Sequence, residues 1–187
     1  GTVQTVAATA VNTYAANDSV VFSAEKTFTN GNLGSKSFSF RLTQVTGVGN
    51  PAPVTTKLAQ ADEKATATEG TGSTRTVTFD AIPFTQADVG NTYYFMIEEI
   101  RLPDGVNATN PVGTLDHVRY DLRKHYFTVH VEKGTNGLAI TKSANTSGDD
   151  ETSAKFTNEQ RGRLVITKTF SGTAAGDLDD TQKGKIL

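Results

Sequence analysis

Strand-like alternation is the strongest constraint in this 187-residue chain, and at three places the apolar face of a strand carries one polar residue. The face that begins at Val20 contains Lys26 among hydrophobic residues. A second face begins at Tyr93 and reaches Glu99, and a third, shorter face ends at Asn158. Successive side chains of a strand point to opposite sides, so we expect these three polar groups to point into the core. Burying unpaired polar groups costs several kcal/mol each, which favours a fold in which the three satisfy one another.

A lysine, a glutamate and a carboxamide that meet in an apolar site can form an isopeptide bond. Complete burial lowers the pKa of a lysine and raises that of a glutamate by up to about 3–5 units. The neutral amine of Lys26 can then attack the carboxamide carbon of Asn158, with loss of ammonia. Protonated Glu99 can donate to the amide oxygen and later pass a proton to the departing nitrogen. The pattern therefore predicts one intramolecular cross-link, formed once per chain and driven by proximity.

Neighbouring residues offer alternative assignments. Glu98 shares a face with Tyr94 and Met96, so it would replace Glu99 only if the strand slipped by one residue or carried a bulge. Lys36 lies in a Gly-Ser turn, where we expect it to be solvated. The trio also has an ordinary structural interpretation. A strand lysine can extend past the sheet edge and pair with a glutamate, and an asparagine near a strand end is often a turn residue.

Four motifs occur in an order that resembles a known family. They are Lys26-Thr27-Phe28 followed by Gly31, then Phe38 to Leu42, then Gly90 to Glu99, and finally Phe156-Thr157-Asn158. Over roughly residues 18–160 this set resembles the streptococcal pilin isopeptide-linkage domain. The resemblance implies a stalk domain in which a first-strand lysine bonds to a last-strand asparagine, with a glutamate from a middle strand as the catalyst. Lys26, Asn158 and Glu99 occupy these three positions.

The composition favours an all-β fold. Threonine, glycine, serine and asparagine abound, and no long segment shows a sustained helical period. The family resemblance implies an immunoglobulin-like or Cna B-type β-sandwich. We expect a lead-in segment over 1–17, the isopeptide-containing sandwich over 18–160, and a linker with the first strand of a following, truncated domain over 161–187.

The alternation also predicts where the strands lie. It places them at 19–28, 37–44, 74–80, 92–101, 118–123, 125–132, 137–142 and 153–158. The clearest hairpin turn is Asn136-Gly137, a pair that suits a two-residue β-turn. The long insertion at 46–73 is rich in Pro, Gly, Ala, Thr and Glu, and we expect it to be part loop and part short helix.

Part of the first strand pattern recurs near the C-terminus. Lys-Thr-Phe is repeated at 168–170, again preceded by alternating apolar residues. Lys168 is therefore a candidate cross-link lysine of the next domain, unreacted in this fragment because its partners would lie beyond Leu187. The alternative is a solvated strand lysine that recurs by chance.

Composition and motifs argue against several other functions. The net charge of −2 gives no electrostatic case for binding nucleic acid or an anionic membrane. The absence of cysteine excludes disulfides, cysteine-based zinc sites and thiol catalysis. His117, His125 and His130 lie in one region, but hydrolase and zinc-protease motifs are missing and His130 is expected to face solvent. The acidic run at 149–151 lacks the spaced ligands of a calcium loop. We expect no enzyme activity on external substrates, no cofactor and no metal.

The sequence thus predicts a structural stalk domain of a Gram-positive pilin or adhesin, located outside the cell at the cell wall. Its expected partners are neighbouring domains of the same surface protein, without nucleic acid or membrane insertion, since no apolar run is long enough to span a bilayer. The alternative is an adhesin module that binds a host glycan or protein through loops 46–73 or 102–117. Neither loop contains a Trp, Tyr or Phe, which favours the stalk. An uncross-linked spacer is a third candidate.

Overall fold

A computed structural model of the protein describes residues 16–49, 51–66, 72–114 and 116–162. Lys168 and the predicted following domain lie outside these residues, apart from the first two residues of the linker. The predicted lead-in segment is described only at its last two residues.

Short β-strands dominate the described part of the chain, so the predicted all-β class is confirmed. In chain order the strands are β1 Asn17–Val20, β2 Ser23–Thr29, β3 Ser39–Val45, β4 Asp62–Ala65, β5 Thr74–Thr78, β6 Ile82–Thr85, β7 Thr92–Ile100, β8 Val118–Arg119, β9 His125–Lys133, β10 Leu138–Ala144 and β11 Ser153–Gln160. A 3-10 turn, Gln86–Asp88, follows β6. No helix among the described residues is long and apolar enough to cross a membrane.

Two sheets form a sandwich around a core rich in phenylalanine. One sheet has the order β10-β9-β7-β3-β4 and the other has the order β5-β2-β11-β8, while β1 and β6 pair separately. Phe22, just before β2, packs against Phe95 and Phe127 of the opposite sheet, with ring centroids 5.1 and 5.2 Å apart. Phe40 and Phe156 make a similar contact across the sandwich at 4.9 Å. Such contacts bury large apolar areas and hold the two sheets face to face.

The strands β2 and β11 are far apart in sequence yet lie side by side and parallel. Phe156 is level with Lys26, and Asn158 is level with Phe28. The even-numbered residues 24 to 28 of β2 and 154 to 158 of β11 are buried, as the period of two requires. The register therefore sets Lys26 and Asn158 on the same inner face, two residues apart along adjacent strands.

The first strand prediction, 19–28, merges two elements of the structure. The chain leaves the sheet at Val21 and Phe22, so that β1 pairs with β6 while β2 pairs with β11 and β5. Alternation alone did not reveal this break, because Val20 and Phe22 are both buried and keep the even-numbered pattern. Neither β6 nor β4 was predicted, because each has only four residues.

The insertion at 46–73 contains a strand where a short helix was expected. In its described part β4 pairs with β3, with Asp62 level with Leu42, and no helix is present. This edge strand is polar and half-exposed, so it lacks the apolar alternation by which strands are recognised. The predicted strand at 118–123 is also shorter, ending at Arg119. The Asn136-Gly137 hairpin between β9 and β10 is confirmed.

Candidate cross-linking site

Lys26, Glu99 and Asn158 meet between the two sheets. Lys26 and Asn158 are fully buried, and Glu99 is 7% exposed. The Lys26 amine donates a hydrogen bond to Oε2 of Glu99 at 2.8 Å, and Nδ2 of Asn158 donates to Oε1 of the same carboxyl at 2.9 Å. One carboxyl group from β7 therefore bridges an amine on β2 and a carboxamide on β11.

Aromatic rings enclose the lysine amine. Its nitrogen lies 4.8 Å from the ring centroid of Phe38, 5.9 Å from that of Phe40 and 5.8 Å from that of Phe156. Ring faces attract an ammonium only weakly compared with the hydration that burial removes. The cage therefore keeps water from the amine while leaving it hydrogen-bonded to Glu99.

Burial sets the protonation of this pair. It lowers the pKa of Lys26, although the nearby Glu99 carboxylate opposes the shift. It raises the pKa of Glu99, although the charge and hydrogen bond of Lys26 and the Asn158 amide oppose that shift. Both directions favour a neutral amine beside a neutral carboxylic acid. Conversion of the ion pair to the neutral pair moves one proton from Lys26 to Glu99, so it needs no proton from solvent.

The alternative residues lie elsewhere. Glu98 points to the outer face of the sheet, where its Oε1 accepts a hydrogen bond from Nη2 of Arg41 at 2.9 Å. Lys36 is exposed, with its amine 5.7 Å from the ring centroid of Phe28. Neither side chain reaches the carboxamide of Asn158.

The orientation of the Asn158 amide follows from its surroundings. The backbone N–H of Asp121 donates to Oδ1 of Asn158 at 2.7 Å. A backbone N–H is only a donor, so the amide oxygen must face Asp121, and the nitrogen then faces Glu99. The sequence suggested that Glu99 would donate to the amide oxygen, and the structure instead directs Glu99 to the nitrogen. Residue patterns do not disclose a backbone donor, which explains why Asp121 was missed.

Side-chain hydrogen bonds fasten the segment around Asp121 to β11. The Asp121 carboxylate accepts the Thr157 backbone N–H at 3.0 Å and two guanidinium hydrogen bonds from Arg123 at 2.9 and 2.7 Å. Arg123 also donates to the Lys155 carbonyl at 3.1 Å. Burial alone would raise the pKa of Asp121, but the hydrogen bonds from Arg123 and Thr157 lower it overall. These contacts occupy the residues that were predicted to extend a strand to residue 123.

A second lysine and carboxylate pair shows how the surroundings of a carboxyl group change its ionisation. Lys57 donates to Oδ2 of Asp88 at 2.5 Å, and the Tyr93 hydroxyl donates to Oδ1 at 2.6 Å. Burial would raise the pKa of Asp88, but hydrogen bonds from Lys57, Tyr93 and the Thr85 backbone lower it to about 2. The Asp88 carboxylate therefore stays ionised and is a poor electrophile, so its contact with Lys57 acts as an ion pair that holds the 51–60 loop.

The three histidines do not converge. His125 is buried and its Nδ1 lies 2.7 Å from Oδ2 of Asp149, while its ring packs 4.1 Å from that of Phe156. Burial lowers the pKa of His125 in spite of Asp149, which favours the neutral ring. His130 lies on the outer face with its side chain 38% exposed. The part of the chain that the structure describes contains no cluster of three or more His, Cys, Asp or Glu suited to a metal ion.

Comparison with known proteins assigns the chain to a family. The family model FctA, described as the Spy0128-like isopeptide-containing domain, matches residues 22–161. The chain belongs to the Spy0128-like isopeptide-containing domain family. The predicted membership in the pilin isopeptide family is thereby confirmed, and the matched range includes all three residues of the buried trio.

This isopeptide-containing domain is also similar to a solved structure, the major pilin protein T-13 from Streptococcus pyogenes. The sequences are 16% identical and the TM-score is 0.42. The match covers 79% of this chain and 55% of that pilin, so the chain spans about half of the pilin's length. No curated protein matches the domain by sequence.

Proposed function

We propose that this chain is a structural stalk domain of a Gram-positive surface pilin, locked by an isopeptide bond between Lys26 and Asn158. The observation that carries the proposal is the single carboxyl group of Glu99, which contacts the amine at 2.8 Å and the carboxamide nitrogen at 2.9 Å in a buried site. Membership of an isopeptide-containing family supports the same chemistry.

The reaction is a transamidation promoted by Glu99. The neutral Lys26 nitrogen attacks Cγ of Asn158 and forms a tetrahedral intermediate with negative charge on Oδ1. Oε2 of Glu99 accepts a proton from the attacking nitrogen, and the acid proton on Oε1 passes to Nδ2. The bond from Cγ to Nδ2 breaks, ammonia leaves, and an Nζ–Cγ amide bond remains. Glu99 ends as it began, and the chain reacts once.

The position of the bond suits a domain under tension. It joins β2 to β11. Along the chain, β2 is the first strand of the four-stranded sheet, and β11 is the last strand described. Force that enters before β2 and leaves after β11 would pass through the covalent bond, so the strands between them would carry little of it. We propose that the domain extends over 18–160, that neighbouring domains or pilus subunits at the cell surface are its partners, and that Lys168 is the cross-link lysine of the next domain.

Intact mass spectrometry tests the proposal. The wild-type chain should be lighter than its sequence by one ammonia, whereas Glu99→Gln should have the full mass. Glu98→Gln is the matched control, because it makes the same change one residue away on the outer face, and it should still lose ammonia. A wild-type chain of full mass would refute the cross-link, and loss of ammonia in Glu99→Gln would refute the role of Glu99.

A further inference from the structure

The cross-linking reaction needs a group that stabilises the amide oxygen, and Glu99 does not contact that atom. We propose that the backbone N–H of Asp121 is this oxyanion donor, and that the Asp121 carboxylate and Arg123 are positioning groups that hold it in place. The inference rests on the proposed function and adds a second catalytic group to it.

The geometry supports this role. During attack the Oδ1 atom of Asn158 changes from a carbonyl oxygen to an oxyanion, which a donor stabilises more strongly than it stabilises the neutral amide. The Asp121 N–H already lies 2.7 Å from this oxygen. Asn158 is fully buried, so water does not compete for the oxygen. Both oxygens of Glu99 remain engaged with the two nitrogens that exchange protons.

The donor is held from both sides. The residue before it, Tyr120, donates its own N–H to the Pro111 carbonyl at 2.8 Å. On the other side the Asp121 carboxylate accepts the Thr157 N–H, and Arg123 spans from that carboxylate to the backbone of β11. Since Thr157 immediately precedes Asn158, the same clamp aligns the donor with the strand that carries the acceptor. This preorganisation removes the need to order the donor during the reaction.

Arg123 has a second consequence for the site. The negative charge of Asp121 favours the ammonium form of Lys26 and so works against the nucleophile. The bidentate contact with Arg123 places a positive charge on that carboxylate. We therefore expect the site to tolerate the negative charge of Asp121 because Arg123 offsets its effect on the Lys26 amine.

A single-atom change provides the most direct test. The full chain is purified unfolded and unreacted from inclusion bodies, refolded by dilution, and followed by circular dichroism for folding and by intact mass for ammonia loss. The Asp121 amide is replaced by an ester, through the corresponding hydroxy acid in cell-free synthesis. This change puts an oxygen atom, which cannot donate a hydrogen bond, in the place of the N–H. We expect ammonia loss to slow by about 100-fold, the effect of removing one oxyanion donor.

The matched control is the same ester replacement at Val54, whose N–H donates to the Gln44 carbonyl at 2.9 Å. It also removes one backbone hydrogen bond but involves neither Asp121 nor Asn158, so the rate should stay within a few-fold of wild type. Equal slowing of both esters would overturn the inference, because it would indicate a structural effect. An unchanged rate in the Asp121 ester would overturn it too, while leaving the proposed cross-link intact. Absence of ammonia loss in the wild-type chain would overturn both.

Side-chain variants keep the test decisive if the ester chain does not fold. Asp121→Ala should fold to the native circular dichroism spectrum and lose ammonia about tenfold more slowly, since its N–H is present but poorly aligned. Asp121→Asn retains an acceptor for the Thr157 N–H and should recover part of the rate. If Asp121→Ala reacted as fast as wild type, or if Asp121→Asn gave no recovery, the positioning role would be wrong.

Discussion

Replacing Glu99 by glutamine should remove the cross-link while changing little else in the core. Glutamine has the same shape, its amide oxygen can accept the hydrogen bond from Asn158, and its NH2 can donate to the neutral Lys26 amine. It has no acid proton to exchange between the two nitrogens. The folded states of wild type and variant therefore differ mainly by the covalent bond.

The expected loss of stability comes from the length of the loop that the bond closes. The segment from Lys26 to Asn158 contains about 130 residues, and the chain-entropy relation for cross-links gives about 5 kcal/mol at 25 °C for a loop of this size. With a denaturant dependence of about 4 kcal/mol per molar in guanidinium chloride, the unfolding midpoint should fall by about 1 M. The slope of the unfolding free energy against denaturant concentration should be steeper for the variant, because its unfolded chain is free to expand further.

Equilibrium unfolding followed by far-ultraviolet circular dichroism measures both quantities, and intact mass confirms the state of each sample. Glu98→Gln controls for the change of residue type and should unfold like wild type, because its side chain makes only partly exposed contacts. If Glu99→Gln has the full mass and still unfolds at the wild-type midpoint, the argument from loop closure is wrong.

Three further predictions concern the surroundings of the site. Phe38→Ala should slow ammonia loss per folded molecule about tenfold, because the ring 4.8 Å from the Lys26 amine shields that amine from water. Phe84 is also buried but packs against Tyr93 and Lys57, so Phe84→Ala should cost about 3–5 kcal/mol of stability without slowing the reaction. Equal rates in the two variants would contradict this. The rate of ammonia loss in the wild-type chain, followed by intact mass after refolding, should vary less than about threefold between about pH 6 and 8. The reason is that Lys26 and Glu99 exchange one proton internally. A tenfold rise with pH would contradict the neutral pair. The pKa of Asp88 is lowered from 3.8 to about 2, so its stabilising contribution is present above about pH 4 and is lost as the pH falls towards 2. Thermal melting from pH 5 to 2 should therefore fall less steeply for Asp88→Asn than for wild type, and parallel curves would show that Asp88 is not the group responsible.

The sequence identified the buried trio because the evidence for it is local. Each of Lys26, Glu99 and Asn158 continues an apolar stripe of period two, and that period is a property of the extended backbone itself. The same reasoning correctly separated Glu99 from Glu98, which faces outward to Arg41. It failed at β4, where charged residues at a half-exposed edge conceal the strand.

The contacts of Asn158 depend on the pairing of strands that are far apart in sequence, which a local residue pattern does not predict. Alternation cannot choose the neighbour of a strand, so the parallel pairing of β2 with β11 appears only when the sheet is assembled. The oxyanion donor is harder still to foresee, because it is a backbone N–H of Asp121 placed by a salt bridge to Arg123 and a hydrogen bond from Thr157.

By itself, then, the sequence determined the all-β class, the inward residues and the chemistry they permit. Only the tertiary structure decided which atoms touch: Glu99 to the amide nitrogen, Asp121 to the amide oxygen, and phenylalanine rings around the amine. The physical reason is that side-chain direction follows from backbone periodicity over a few residues, whereas hydrogen-bond geometry and burial depend on strands separated by more than a hundred residues.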